Sequence, residues 1–100
     1  MEPDNFLVIV FAASLKPADL KDLFSRVQTE LSHVCTEPPL VIKSDVTALC
    51  LLIAAHDRLA ISRALALAAA YDTRYLFVRV DKPFEATGLA TAAMWMNRHL

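Results

Sequence analysis

The sequence predicts an α+β fold in which strands and helices alternate around two long apolar strands. Residues 6–13 and 46–55 are nearly continuous apolar runs without glycine or proline, a pattern typical of strands buried on both faces. Between them, residues 20–34 repeat apolar side chains every three or four positions, as one face of a helix does. With the remaining segments, the predicted order of elements is β-α-β-β-α-β-α.

The first half of the chain combines the clearest strand with the clearest helix. Residues 6–13 are rich in β-branched and aromatic side chains, which favour strands. Because proline suits the first turn of a helix, we expect the helix to begin near Pro17. It should end near Cys35, ahead of the Pro38-Pro39 pair.

Residues 40–43 are a short strand candidate, and only Ser44 and Asp45 separate them from the apolar run at 46–55. This spacing suits a hairpin and is too short for the crossover that a parallel pair requires. If residues 40–43 do not form a strand, the alternative is a small three-layer α/β sheet.

In the second half, Asp57 is expected to cap a helix over residues 58–71, whose leucines and alanines have high helix propensity. Residues 74–81 then form a strand with two different faces. One face carries Tyr75, Phe77 and Arg79, and the other carries Leu76, Val78 and Val80. Charges on this strand suit the edge of a sheet. Residues 84–100 predict a C-terminal helix that is apolar on more than one side.

This order of elements is that of the ferredoxin-like, or split βαβ, fold. In that fold the first and third strands lie at the centre of an antiparallel sheet, in agreement with the two apolar runs. We therefore predict one domain over residues 1–100, with a ferredoxin-like βαββαβ sheet and an extra C-terminal helix. Two helices cover only one face of such a sheet. The second face should be covered by the C-terminal helix, a second copy or a partner.

Composition argues against several classes of partner. Hydrophobic residues make up 56% of the chain, which is ample for a core, and the net charge is -1 with no basic block. A footprint for nucleic acid is therefore missing. The first residues lack the basic region of a signal peptide, and no segment has the pattern of a membrane span. Two cysteines do not make a disulfide framework, although a Cys35–Cys50 bridge stays open. We expect a cytoplasmic protein.

Motifs for cofactor or metal chemistry are also missing. Gly88 is the sole glycine, so the glycine-rich loops that cradle phosphates are absent. His33, Cys35, Cys50 and His56 lack the ligand spacings of known zinc sites. We expect neither a cofactor nor a metal. Only His56, at the end of a central strand, stands out as a candidate acid or base.

The sequence therefore favours a small protein–protein interaction module, of the inhibitor or immunity type that neutralises a partner protein. Its partner would be another protein or a second copy. Aromatic, arginine and tryptophan side chains are enriched at interfaces, and the expected contact residues are Tyr75, Phe77, Arg79, Trp95 and Arg98. Trp95 could equally pack beneath the domain. The alternatives are a small dimeric enzyme or ligand-binding regulatory domain with His56 near a pocket, and a purely homodimeric regulatory domain.

Overall fold

The computed structural model describes residues 2–12, 16–44, 48–69, 73–81, 91, 94, 95 and 98. Within these residues, six elements follow one another: β1 (Asp4–Ala12), α1 (Pro17–Ser32), β2 (Leu40–Ser44), β3 (Leu49–Ala55), α2 (Arg58–Ala68) and β4 (Thr73–Val80). The structure is therefore α+β, with a four-stranded antiparallel sheet and two helices, and this level of the prediction is confirmed.

The strands are arranged in the order β2-β3-β1-β4 across the sheet. The two long apolar runs thus form the two central strands. In the register of the sheet, Val8 of β1 lies between Leu51 of β3 and Phe77 of β4. Residues 40–44 do form a strand, which pairs antiparallel to β3, so the alternative three-layer sheet is excluded. Residues 46 and 47 of the predicted third strand lie outside the described part of the chain.

The two helices begin where the sequence predicts and end earlier. Pro17 occupies the first position of α1, which ends at Ser32, three residues before the predicted end at Cys35. Asp57 caps α2 as expected, since its Oδ1 accepts a hydrogen bond from the backbone N–H of Leu59 (2.9 Å). The last described helical residue of α2 is Ala68.

Both helices pack on one face of the sheet, which we call the helix face. Alternate residues of β1 and β3, represented by Val8 and Leu51, are fully buried there. They meet the apolar stripes of the helices, including Leu23 and Leu31 of α1 and Ile61 of α2. The spacing of three and four residues in α1 explains why its whole apolar face reaches the sheet.

The predicted C-terminal helix over 84–100 lies mostly outside the described residues. Thr91, Met94, Trp95 and Arg98 are described, and each has a helical backbone. The continuous helix therefore stays a prediction. None of the helices formed by the described residues is long and apolar enough to cross a membrane.

Candidate interaction surface

The face of the sheet opposite the helices, which we call the open face, is covered at one end by Trp95. This side chain is only 6% exposed and packs against Leu52 and Ala54 of β3. Partly buried neighbours surround the contact: Leu7, Leu40, Ile42 and Val80. Trp95 therefore packs beneath the domain, which is one of the two positions that the sequence left open for it.

The other end of the open face is exposed and apolar. Phe11 is 37% exposed, Leu76 47% and Val78 48%. Ile9, which is half-buried, lies directly opposite Leu76 and joins these side chains across β1 and β4. We call these four residues the open-face patch. Exposure on this face rises from β3, where Leu52 is buried, towards the β4 edge.

Beside the covered end, one polar side chain is buried on the open face. Asn5 is 5% exposed and lies opposite Ala54 and Val80. Its Oδ1 has no hydrogen-bond partner among the described residues. Asn5 also lines the smaller of the clefts described below.

Three of the predicted contact residues lie on the helix face of β4. Tyr75, Phe77 and Arg79 share that face, as the alternation predicts. Phe77 is half-buried and stacks edge-to-face on Phe6, with ring centroids 5.9 Å apart and planes at 74°. It belongs largely to the core. Tyr75 is 37% exposed, and the exposed Arg79 lies 3.9 Å from Asp81 through Nη2 and Oδ2.

The other two predicted contact residues lie elsewhere. Trp95 is buried on the open face, and Arg98 pairs with Glu37, just ahead of β2, at 3.4 Å between Nη2 and Oε1. The structure therefore does not bring the predicted contact residues together on one surface. Tyr75, Phe77 and Arg79 are separated by the sheet from Trp95.

The sequence does not predict the exposure of Phe11, Leu76 and Val78 on this face. Leu76 and Val78 were predicted to share a face, but nothing in their alternation indicates that this face lies opposite the helices. Phe11 lies inside a run that predicts burial on both sides. The charges on β4 indicate an edge strand, but they do not indicate which of its faces is exposed.

Among the clefts that the described residues line, two lie on the surface near the ends of β1 and β4. The larger, of about 510 Å³, is lined by Asp4, Phe6, Arg58, Phe77, Val78 and Arg79. The smaller, of about 270 Å³, is lined by Glu2, Pro3, Asp4, Asn5, Arg79, Val80 and Asp81. His56 is exposed at the end of β3 and lines neither cleft. Its neighbour Asp57 is engaged in capping α2.

The two cysteines are free and both are half-buried, so the bridge that the sequence left open is not formed. Burial raises the pKa of the Cys35 thiol to about 11, which makes it a poor nucleophile near neutral pH because the thiolate is the reactive form. Within the described part of the chain, no three His, Cys, Asp or Glu residues form a group that could hold a metal ion.

The surface has to be interpreted from this chain's own residues, because no protein-family model, no curated protein and no solved structure matches it. On those residues, the open-face patch is the largest concentration of exposed apolar side chains among the described elements of the sheet. The two clefts, by contrast, have charged residues as at least half of their lining.

Proposed function

We propose that this chain is a small protein–protein interaction module that binds a partner through the open-face patch. The observation that carries the proposal is the exposure of Phe11, Leu76 and Val78, between 37% and 48%, on two adjacent strands. The largest contiguous apolar patch on a monomer is often a functional surface. Arg74, opposite Phe11, adds a polar rim of the sort that surrounds interface cores.

Within this class we propose an inhibitor or immunity type of protein that neutralises its partner by covering it. The support is the small size of the chain together with an exposed apolar patch on one face of the sheet. The alternative, a small dimeric enzyme or ligand-binding domain using His56, lacks comparable support, because His56 is exposed and lines neither cleft. The free cysteines support our proposal that the protein acts in the cytoplasm.

We also propose that the fold is the ferredoxin-like one, extended by a C-terminal helix. The order of elements and the strand order β2-β3-β1-β4 support the first part. The helical backbone at residues 91, 94, 95 and 98 supports the second. An NMR assignment of residues 82–100 tests the extension: helical chemical shifts across 84–100 are expected, and random-coil shifts would refute it.

The experiment that tests the function is affinity capture from the native host, followed by mass spectrometry and reconstitution with the purified partner. The wild type is compared with Phe11→Ser, which removes an apolar side chain of the patch without touching the helix face. The matched control is Leu67→Ser, which changes a leucine of α2 that is 75% exposed and lies away from the patch.

The expected result is one partner that both the wild type and the control bind, and an affinity at least about 10-fold lower for Phe11→Ser, equivalent to about 1.4 kcal/mol. Circular dichroism verifies that the variant is folded. Two results would refute the proposal: a purified partner that binds Phe11→Ser and the wild type equally, or a failure to capture any partner with a wild-type chain shown to be folded.

A further inference from the structure

Among the described residues, the outer edge of β4 lacks the features of sequence and register that usually prevent an edge strand from pairing with another chain. The opposite edge, β2, has five residues, an irregular register between Val41 and Lys43, and a lysine, all of which blunt an edge. In contrast, β4 has eight residues and pairs with β1 without a shift from Thr73 to Val80. It contains neither proline nor lysine, and large apolar side chains lie on both its faces.

We propose that a second copy of this chain pairs its own β4 antiparallel to this edge, so that two sheets join into one eight-stranded sheet about a twofold axis. The inference rests on the proposed function, because it names one partner of the interaction module. It also extends the site: the axis runs perpendicular to the sheet, and the two open-face patches then form one continuous apolar surface on the same side.

The side chains of β4 complement themselves when the axis passes through Phe77. In that register Leu76 lies opposite Val78 of the second copy, and the two Phe77 side chains face each other. Tyr75 lies opposite Arg79, a pair that allows a cation–π contact. Cross-strand pairs of these types stabilise antiparallel sheets. Leu76 and Val78, each almost half exposed in one chain, would thereby cover one another.

The charges of β4 are compatible with a second copy in this register. The strand carries two arginines, Arg74 and Arg79, and no acidic residue, so the register has to keep the arginines of the two copies apart. Pairing about Phe77 places Arg74 opposite Val80 and Arg79 opposite Tyr75, and no arginine faces another. The net charge of -1 also leaves little repulsion between two copies.

The size of the contact sets the expected affinity. Two strands of eight residues bury less than a standard interface, which starts at about 1,200 Å². We therefore expect a reversible dimer with a dissociation constant on the order of micromolar. Sedimentation equilibrium from about 1 μM to about 1 mM should show the mass rising towards twice the chain mass of 11.1 kDa.

Two variants separate the edge from other surfaces. Leu76→Lys with Val78→Lys introduces charge on the edge, and we expect a dissociation constant at least about 10-fold higher. Leu67→Lys, on the outer side of α2 and 75% exposed, should leave the dissociation constant unchanged. Circular dichroism checks folding, which is expected to persist because both substituted edge side chains are about half exposed in the single chain.

Disulfide trapping tests the register independently of these variants. Cα atoms directly opposite in an antiparallel pair are about 4.5–5.5 Å apart, which is within the range that a disulfide spans. In a mixture of Leu76→Cys and Val78→Cys chains, mild oxidation should link the two different chains preferentially. Each variant alone should form few links, because position 76 faces position 78. The native cysteines are common to all samples and give the same background.

The results separate this inference from the proposed function. A chain that stays monomeric at about 1 mM, a dimer that the lysine variants leave intact, or equal linking in single and mixed cysteine samples would each overturn the dimer. Pairing of β4 with a strand of a different protein would overturn it as well. A monomer that still binds its captured partner leaves the interaction function standing, and a dimer whose Phe11→Ser variant binds the partner normally refutes that function alone.

Discussion

Trp95 covers one end of the open face, and its truncation should show how strongly that contact stabilises the sheet. It is the only tryptophan and is 6% exposed. A tryptophan buries about 200 Å², which at about 25 cal/mol per Å² gives an upper value of about 5 kcal/mol. Because Leu40 and Ile42 beside it are only half-buried and can relax into the space, we expect Trp95→Ala to lower the free energy of unfolding by about 3 kcal/mol.

The assay is urea unfolding followed by far-ultraviolet circular dichroism, since the variant has no tryptophan fluorescence. The wild type and the variants are compared at equal protein concentrations between about 1 and about 10 μM, and a free-energy difference that does not change with concentration shows that self-association does not contribute to it. Trp95→Phe is the matched control, because it keeps an aromatic ring in the same place and should lose less than half as much. The slope of the free energy against urea should be unchanged if the transition stays two-state.

A loss below about 1 kcal/mol for Trp95→Ala would refute the reasoning, because that is the usual effect of an ordinary surface or peripheral substitution. It would mean that the contact with Leu52 and Ala54 contributes little to stability. The cover at that end of the open face would then be weak and easily displaced, and the patch at the β4 side would no longer be distinguished from it by stability.

Three further predictions concern the helix face and the cysteines. Asp57→Ala removes the cap of α2 and should lower the free energy of unfolding by about 1 kcal/mol. An unchanged free energy of unfolding would contradict the role of Asp57 as the cap. Ile53→Ala, at a fully buried position, should lower the free energy of unfolding by about 2–5 kcal/mol. Leu67→Ala, at a 75% exposed position, should change it by no more than about 0.5 kcal/mol. The reverse ranking in urea unfolding would contradict the placement of Ile53 in the core. Since the pKa of Cys35 is raised from 9.0 to about 11 in the folded chain, the unfolded chain loses this proton first. Stability should therefore fall as pH rises from about 9 to about 11, and Cys35 should react with iodoacetamide at pH 8 more slowly in the folded than in the unfolded chain. Comparison with Cys35→Ser isolates the contribution of Cys35 to stability. A contribution that rises over that pH range would contradict the prediction, and so would equal alkylation rates in the folded and the unfolded chain.

Much of the fold follows from patterns that are local in the sequence. The apolar spacing of α1 and the two uninterrupted runs that form β1 and β3 depend on short-range periodicity, and the structure confirms the elements that they predict. The boundaries are less well predicted, as the end of α1 at Ser32 shows. After the helix, the backbone N–H of Cys35 donates a hydrogen bond to the carbonyl oxygen of Leu31. The prolines that follow in the sequence predict that the helix ends before them, but they do not determine at which residue.

The candidate site was harder to predict because it depends on long-range packing. The alternation of β4 correctly groups Tyr75, Phe77 and Arg79 on one face, but a strand pattern is symmetric and does not say which face the helices cover. The position of Trp95 depends on a contact with Leu52, some forty residues away in the chain. Without those contacts, the exposure of Leu76 and Val78 has no signature in the sequence.

The central claim is that other chains contact this molecule on the β4 side of the open face. Hydrogen exchange monitored by mass spectrometry tests it most directly, with the chain at low and high concentration and with its captured partner. Unpaired outward amides of an edge strand exchange quickly, and pairing or burial slows them. We predict slower exchange in peptides that cover residues 73–81, with no change over α2. Protection confined to α2 or to the end of the sheet that Trp95 covers, or no protection anywhere, would contradict the claim.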